Sequence, residues 1–168
     1  MLIRTERLIL RDFTAGDASD LHEILGDAET MRYCEPAYDL AKTRAFLEDF
    51  CIAKKGAVAA VLGGSQKVIG YLLFKPLEAS VYEIGWIFHR AYWRQGYAYE
   101  ACCALLAHGF HELGVHKVVA ETVDPQKSVA LMEKLGMRRE GVQRRQTRDP
   151  QGNWADLYLY GLLRSDVL

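Results

Sequence analysis

The residues best suited to chemistry lie together, in Tyr82-Glu-Ile-Gly-Trp-Ile-Phe88 and the run His89-Arg-Ala-Tyr-Trp-Arg-Gln-Gly-Tyr-Ala-Tyr-Glu-Ala101 that follows. The first segment alternates as a strand does. Tyr82, Ile84, Trp86 and Phe88 take one face, and Val81, Glu83, Gly85 and Ile87 take the other. The second segment opens a helix near Gly96. The backbone N–H groups of Arg94, Gln95, Gly96, Tyr97 and Ala98 sit where a helix start has no carbonyl to offer them. They converge and carry the positive end of the helix dipole, which suits a phosphate or pyrophosphate. Gly96 lets a ligand come close to the backbone, and Ala98 keeps the next turn small. A plain strand-loop-helix junction accounts for the same residues equally well, so local chemistry leaves both readings open.

Other chemistries are easier to set aside. There is no G-x-G-x-x-G, no G-x-x-x-x-G-K-S/T and no G-x-S-x-G. His111 and His116 are five residues apart with Gly114 between them, not four as on the face of a zinc-protease helix. They read as helix-end histidines favouring the C-terminal dipole, and no metal is expected. Cys34, Cys51, Cys102 and Cys103 form no C-x-x-C pair and read as buried free thiols.

The surrounding chain is ordinary in length and composition. Its 168 residues suit one domain spanning 1–168, and 50% hydrophobic against 26% charged residues is a globular balance. Lys+Arg number 21 against 22 Asp+Glu, a net charge of -1, so no global positive field invites nucleic acid. The apolar runs are far short of the roughly 20 residues of a membrane helix. The opening Met1-Leu-Ile-Arg-Thr-Glu-Arg7 is charged where a signal peptide is apolar, so the expected location is cytoplasmic, away from membranes.

The elements that must position the site follow from periodicity. Residues 4–13 read as a strand. Thr14 then caps a helix, with Asp17 in the capping-box position and Leu21, Ile24 and Leu25 as its apolar stripe. Residues 40–54 read as a second helix, with Phe46, Leu47 and Phe50 at helical spacing. Strands at 57–62 and 68–74 flank the Gly63-Gly64-Ser65 turn. A strand at 80–88, a helix at 96–113, a strand at 117–122 and a helix at 125–135 follow, the last stopped by Gly136. Strands at 137–148 and 154–163 close the chain around Asp149-Pro150-Gln151-Gly152-Asn153. This is an α/β fold of the α+β kind, with helices on both faces of a twisted mixed sheet. Hairpins between the early strands exclude a doubly wound nucleotide fold. Alternation along 137–148 places Arg144 and Arg148 on one face and Arg139 and Arg145 on the other. These arginines read as a solvated face, or as an attraction for an acidic or phosphorylated ligand.

Trp93-Arg94-Gln95-Gly96-Tyr97-Ala98, with Glu100-Ala101, resembles the acetyl-CoA signature of the GNAT superfamily of N-acetyltransferases, Gln/Arg-x-x-Gly-x-Gly/Ala. Trp93 departs from the usual Gln or Arg, as it does in the branch of the RimJ/RimL-type ribosomal-protein N-terminal acetyltransferases. Thr5-Glu6-Arg7-Leu8-Ile9-Leu10-Arg11 resembles that branch's first strand. Residues 128–137, S-V-A-L-M-E-K-L-G-M, resemble its second motif, and Gly152-Asn-Trp-Ala-Asp156 with Tyr158 and Tyr160 resembles its last hairpin. The resemblance covers nearly the whole chain. It implies the acyl-CoA N-acyltransferase fold, a mostly antiparallel sheet splayed at its centre.

The resemblance also implies an activity: transfer of acetyl from acetyl-CoA to a primary amine by direct attack. The acceptor would be an N-terminal α-amine of a protein or peptide, with a polyamine, amino acid or aminoglycoside-like drug as the alternative. A non-catalytic acyl-CoA-binding module on the same fold is a further alternative, and a homodimer through strand edges or the last hairpin is expected to be possible. The strands ending at Phe88 and Thr122 would splay to admit acetyl-CoA. Its pantetheine would pair with backbone near Trp86, Ile87 and Phe88, and its pyrophosphate would lie on the N–H groups from Arg94 to Tyr99. An N–H near Phe88 would support the developing oxyanion. Glu83 is the first candidate base, acting through water, with Glu121 second; a salt-bridged strand glutamate is the plain alternative. Many relatives place a Tyr where Met132 stands. Ser128 matches the Ser given the leaving thiolate in the ribosomal-protein branch, although a helix-start Ser bonding backbone reads the same. The motif's Asn falls at Pro125, which leaves Asp124 or Lys127 to replace it. Tyr33, Tyr38 and Tyr92 are candidates to line the acceptor pocket.

Overall fold

A computed structural model describes residues 1–167. The strands are β1 (Leu2–Arg4), β2 (Leu8–Asp12), β3 (Ala57–Leu62), β4 (Val68–Glu78), β5 (Val81–Phe88), β6 (Lys117–Thr122), β7 (Arg138–Arg148) and β8 (Trp154–Leu163). The helices are α1 (Ala18–Leu25), α2 (Leu40–Phe46), α3 (Tyr97–His111) and α4 (Lys127–Lys134). All eight strands form one sheet in the order β1-β2-β3-β4-β5-β6-β8-β7. Neighbours are antiparallel except β5 and β6, whose parallel pairing covers only Val81–Lys117, Tyr82–Val118 and Glu83–Val119. Residues 84–88 of β5 and 120–122 of β6 are not paired with each other, which leaves the expected gap in the sheet. No helix among the described residues is long and apolar enough to cross a membrane.

The strand alternation sorts side chains into two cores. Leu8 and Leu10 of β2, Leu72 of β4, and Ile84 and Phe88 of β5 pack with Leu105 and Phe110 of α3 and Met132 of α4. Their neighbours in sequence point the other way. Ile9, Val61 and Tyr71 meet Leu21 and Ile24 of α1 and Leu47 beyond α2. β3 is buried on both sides, which is why Ala57-Val-Ala-Ala-Val-Leu62 is apolar without alternation. Burying a side chain such as Phe110 contributes about 1.5–3 kcal/mol, and the two layers together hold β5 rigid up to the gap. Phe88 gains a further constraint from Gly70, its cross-strand partner, over whose bare Cα its ring lies.

Three expectations need correction. Residues 4–13 are not one strand but a hairpin, β1 and β2. Thr5 makes the turn, its N–H donating to the Leu8 carbonyl at 2.9 Å and its Oγ accepting from the Leu8 N–H at 2.9 Å. Side-chain competition for the backbone of this kind breaks a strand that its apolar pattern alone would continue. The helix expected over 40–54 is α-helical only to Phe46, then widens into a π-helical segment, Leu47–Ala53. There the rings of Phe46 and Phe50 stack at 5.2 Å. On β7 the pairing with β8 slips between Gln143 and Thr147. Arg145 lies at φ +50°, and its N–H donates to Asp156 Oδ1 at 2.8 Å. This bulge breaks the period-two sorting of the arginines.

Candidate active site

Gly96 sits at φ +84°, immediately before α3, and Arg94 at φ +59°. The Glu100 N–H donates to the Gly96 carbonyl at 3.0 Å, which starts the helical ladder. The N–H groups from Arg94 to Tyr99 donate to nothing among the described residues. That array, with Gly96 open to close approach, fits a pyrophosphate. Arg94, Gly96, Tyr97, Ala98 and Tyr99 line a cleft of about 430 Å³. Trp86, Ile87 and Phe88 form its β5 wall, and Lys127, Ser128 and Lys134 stand opposite on α4.

The cleft carries cations suited to an anionic ligand. Lys127 Nζ lies 4.6 Å from the centre of the Trp93 ring, and Lys134 Nζ lies 4.4 Å from that of Tyr99. Lys134 was not among the expected site residues. Its spacing of seven from Lys127 puts both on one helix face, and that signal was available in the sequence. Trp93, the departure from the motif, has a structural task. Its Nε1–H donates to the Phe88 carbonyl at 2.7 Å, tying the loop to the end of β5. That carbonyl is therefore engaged within the protein.

Two residues expected at the donor site have side chains that stand off the cleft. Gln95 does not line the cleft; its side chain turns back to donate to the Ala91 carbonyl at 3.0 Å. Asp124 is buried and also stands off the cleft. Its Oδ1 accepts from the Gln126 and Lys127 N–H groups at 2.9 and 3.2 Å, and its Oδ2 from the Ser128 N–H at 3.2 Å. A carboxylate that caps α4 in this way satisfies the helix start and has little left to offer a ligand. The Ser128 hydroxyl reaches it only at 3.4 Å.

Through the gap between β5 and β6 lies a second cavity of about 260 Å³. Trp86, Ile87, Ser128, Tyr33 and Cys34 border both spaces, so the two meet there. Glu83 and Glu121 line the second cavity and not the first, with Tyr71 and Met132. Glu83 is opposite Lys75 across the β4–β5 register, and their side chains pair at 3.3 Å. Burial pushes the Tyr71 phenol well above its ordinary range, so at neutral pH it is a donor and not a base. Met132 is buried at the cavity wall and offers no proton. Of the other tyrosines, Tyr33 and Tyr92 line the cleft, but Tyr38 is buried and donates to Glu35 at 3.0 Å. Cys51 and Cys102 are buried as expected, whereas Cys34 is exposed at the cleft. Desolvation, then Glu35 and Asp124, raise its thiol above the ordinary value, which disfavours a nucleophilic thiolate.

Comparison with known proteins agrees with this geometry. The family model described as the acetyltransferase (GNAT) domain matches residues 7–138. An uncharacterized N-acetyltransferase of Bacillus subtilis, YnaD, is 34% identical over 171 residues, covering 99% of each chain. The crystal structure of a GNAT-family acetyltransferase from Bacillus anthracis is 33% identical, with a TM-score of 0.90 over 98% of this chain and 99% of that one. A ribosomal-protein-S5-alanine acetyltransferase from Vibrio fischeri shares the fold at 17% identity, with a TM-score of 0.81 over 99% of this chain and 98% of that one. The chain therefore belongs to the GNAT family and is an acetyl-CoA-dependent N-acetyltransferase.

Proposed function

We propose that the acceptor is the N-terminal α-amine of a protein or peptide, in the manner of the RimJ/RimL-type branch. The observation that carries this reading is the meeting of the two cavities at the β5–β6 gap. Donor-side residues line one, and Glu83 lines the other. Acetyl-CoA supplies the activated acetyl group. Glu83 takes a proton from the incoming ammonium, directly or through water, and Ser128 gives a hydrogen bond to the departing thiolate. The α-amine suits such a site. With a pKa of about 7.8 it is roughly 10% free base at pH 7, against roughly 0.04% for a lysine amine at about 10.4.

A second reading, a small cationic amine, is favoured by one observation. Glu83 and Glu121 also border a further cavity of about 400 Å³ that includes Glu140. Lys75 and Lys117 offset part of that charge, through Glu83 and Glu140 respectively.

Binding is tested first by thermal stability. At 100 times its dissociation constant, acetyl-CoA is expected to add about 2.7 kcal/mol. No shift at millimolar acetyl-CoA would remove the donor site. Thiol release is then compared between peptides with free and blocked N-termini, polyamines and aminoglycosides. Turnover that requires a free α-amine supports the first reading, and preference for polyamines selects the second. CoA binding without turnover of any of these amines, unchanged in Glu83→Gln and Ser128→Ala, would point to a binding module.

Ser128→Ala is expected to lower kcat about tenfold, the loss of one hydrogen bond to a developing charge. Stability should hardly change, because the hydroxyl has only a 3.4 Å partner in the fold. A thiol of lower pKa leaves more easily, so the defect should shrink with an aryl thioester donor. An equal defect with both donors would assign Ser128 to the start of α4 alone.

A further inference from the structure

The loop before α3 is held from behind by a residue distant in sequence. Arg7, immediately before β2, does not line the cleft. Its Nε donates to Glu100 Oε2 at 2.6 Å, and its backbone N–H donates to Glu100 Oε1 at 2.8 Å. The Thr5 hydroxyl donates to the same Oε1 at 2.6 Å. Arg7 Nη1 donates to the Gln95 carbonyl at 2.8 Å. Its guanidinium also lies 4.2 Å from the centre of the Tyr97 ring. One side chain thus grips the loop carbonyl, the first helical ring and the first-turn carboxylate.

The Gln95 carbonyl is the informative contact. It shares a peptide plane with the Gly96 N–H, and in a trans peptide the two point in opposite directions. A guanidinium that draws the carbonyl to the rear turns the Gly96 N–H forward. The left-handed backbone at Gly96 completes the turn. Glu100 in turn holds the guanidinium through its Nε. Burial alone would raise the Glu100 carboxyl, but the Thr5 hydroxyl and the Arg7 N–H and guanidinium hold it below the usual range, so it stays ionised at neutral pH. Leu8 and Leu10, next along β2, are fully buried and anchor the grip in the core.

We infer that Arg7 is a positioning residue for the donor. It fixes the Gln95–Gly96 peptide so that the Gly96 N–H faces the pyrophosphate of acetyl-CoA. This rests on the donor site proposed above. It assigns the Thr5–Arg7 turn a task that its resemblance to a first strand does not reveal.

The test uses two donors: acetyl-CoA, and S-acetylpantetheine, which has no pyrophosphate. In Arg7→Ala the KM for acetyl-CoA is expected to rise about tenfold, through lost preorganisation, with kcat at saturation unchanged. Kinetics with S-acetylpantetheine should match the wild type. Arg7→Lys should not restore acetyl-CoA binding, because one ammonium cannot span Glu100 and the Gln95 carbonyl in a fork. Glu100→Gln keeps the shape, loosens the grip, and should give a smaller rise of the same kind, even if Arg7→Ala folds poorly. Equal losses with both donors in these variants would overturn the inference, since they would mark a merely structural role. Full rescue by Arg7→Lys would also overturn it, in favour of a simple charge. If wild-type protein turns over S-acetylpantetheine but gains no stability from acetyl-CoA, the donor site itself has failed.

Discussion

Glu83→Gln is expected to lower kcat/KM at pH 7 about tenfold for an α-amine acceptor, because roughly 10% of that amine is free base at pH 7 without a general base. Glu83 is the last β5 residue paired with β6, so its side chain stands where the sheet opens. It lines the second cavity, and although it pairs with Lys75, 20% of its side chain is exposed. Gln keeps the size and removes only the capacity to take a proton. The variant then depends on acceptor that arrives already deprotonated. Its rate should therefore climb with pH until the amine is free base, near 7.8 for an α-amine. The gap to the wild type should narrow over the same interval. A pH–rate profile of both enzymes, with acetyl-CoA saturating, checks this. A variant as fast as the wild type at pH 7 would take Glu83 out of the mechanism and move attention to Glu121 on the facing wall.

Gly96→Val is expected to weaken acetyl-CoA binding about 100-fold, read as Kd by titration and as KM in turnover. Gly96 holds φ +84°, where a β-branched residue is an outlier. The left-handed conformation costs an L residue about 1–2 kcal/mol, or about 5–30-fold. A Cβ there would also lie 3.2 Å from Arg7 Nη2, so the grip on the loop must give. Small displacement of a preorganised site can cost up to about 100-fold by itself. Gly96→Ala should fall between this variant and the wild type. A melting temperature within a few degrees of the wild type, about the shift expected from 1 kcal/mol, would show that the loss is local. Unchanged Kd in both variants would mean that the left-handed turn does not shape the donor site.

Some of this was legible early, and the reasons are specific. β5 announced itself because it separates two cores, so its alternation of Tyr82, Ile84, Trp86 and Phe88 against Glu83 and Ile87 is strict. The start of α3 was legible because Gly96 must be glycine-like at its φ. Asp124 is ambiguous in sequence for a related reason. A carboxylate four residues ahead of Ser128 looks the same in sequence whether it meets a ligand or caps α4, and the tertiary structure shows it accepting the N–H groups of residues 126–128. Gln95 was counted with the loop because its backbone belongs there, yet its side chain folds back on Ala91.

The sequence by itself determined the order of elements, the two-sided burial of the sheet, the glycine turn before α3 and the family resemblance. Each depends on neighbours within a few residues or on a local period. Tertiary structure alone decided what depends on distant partners. It split the first strand into a hairpin, and it brought Arg7 against Glu100 across 93 residues. It set Lys134 beside Tyr99 and ended the β5–β6 pairing at Glu83. The physical reason is common to all of them. Periodicity reports which face of an element is buried, but not which charged or polar group waits on the element packed against it.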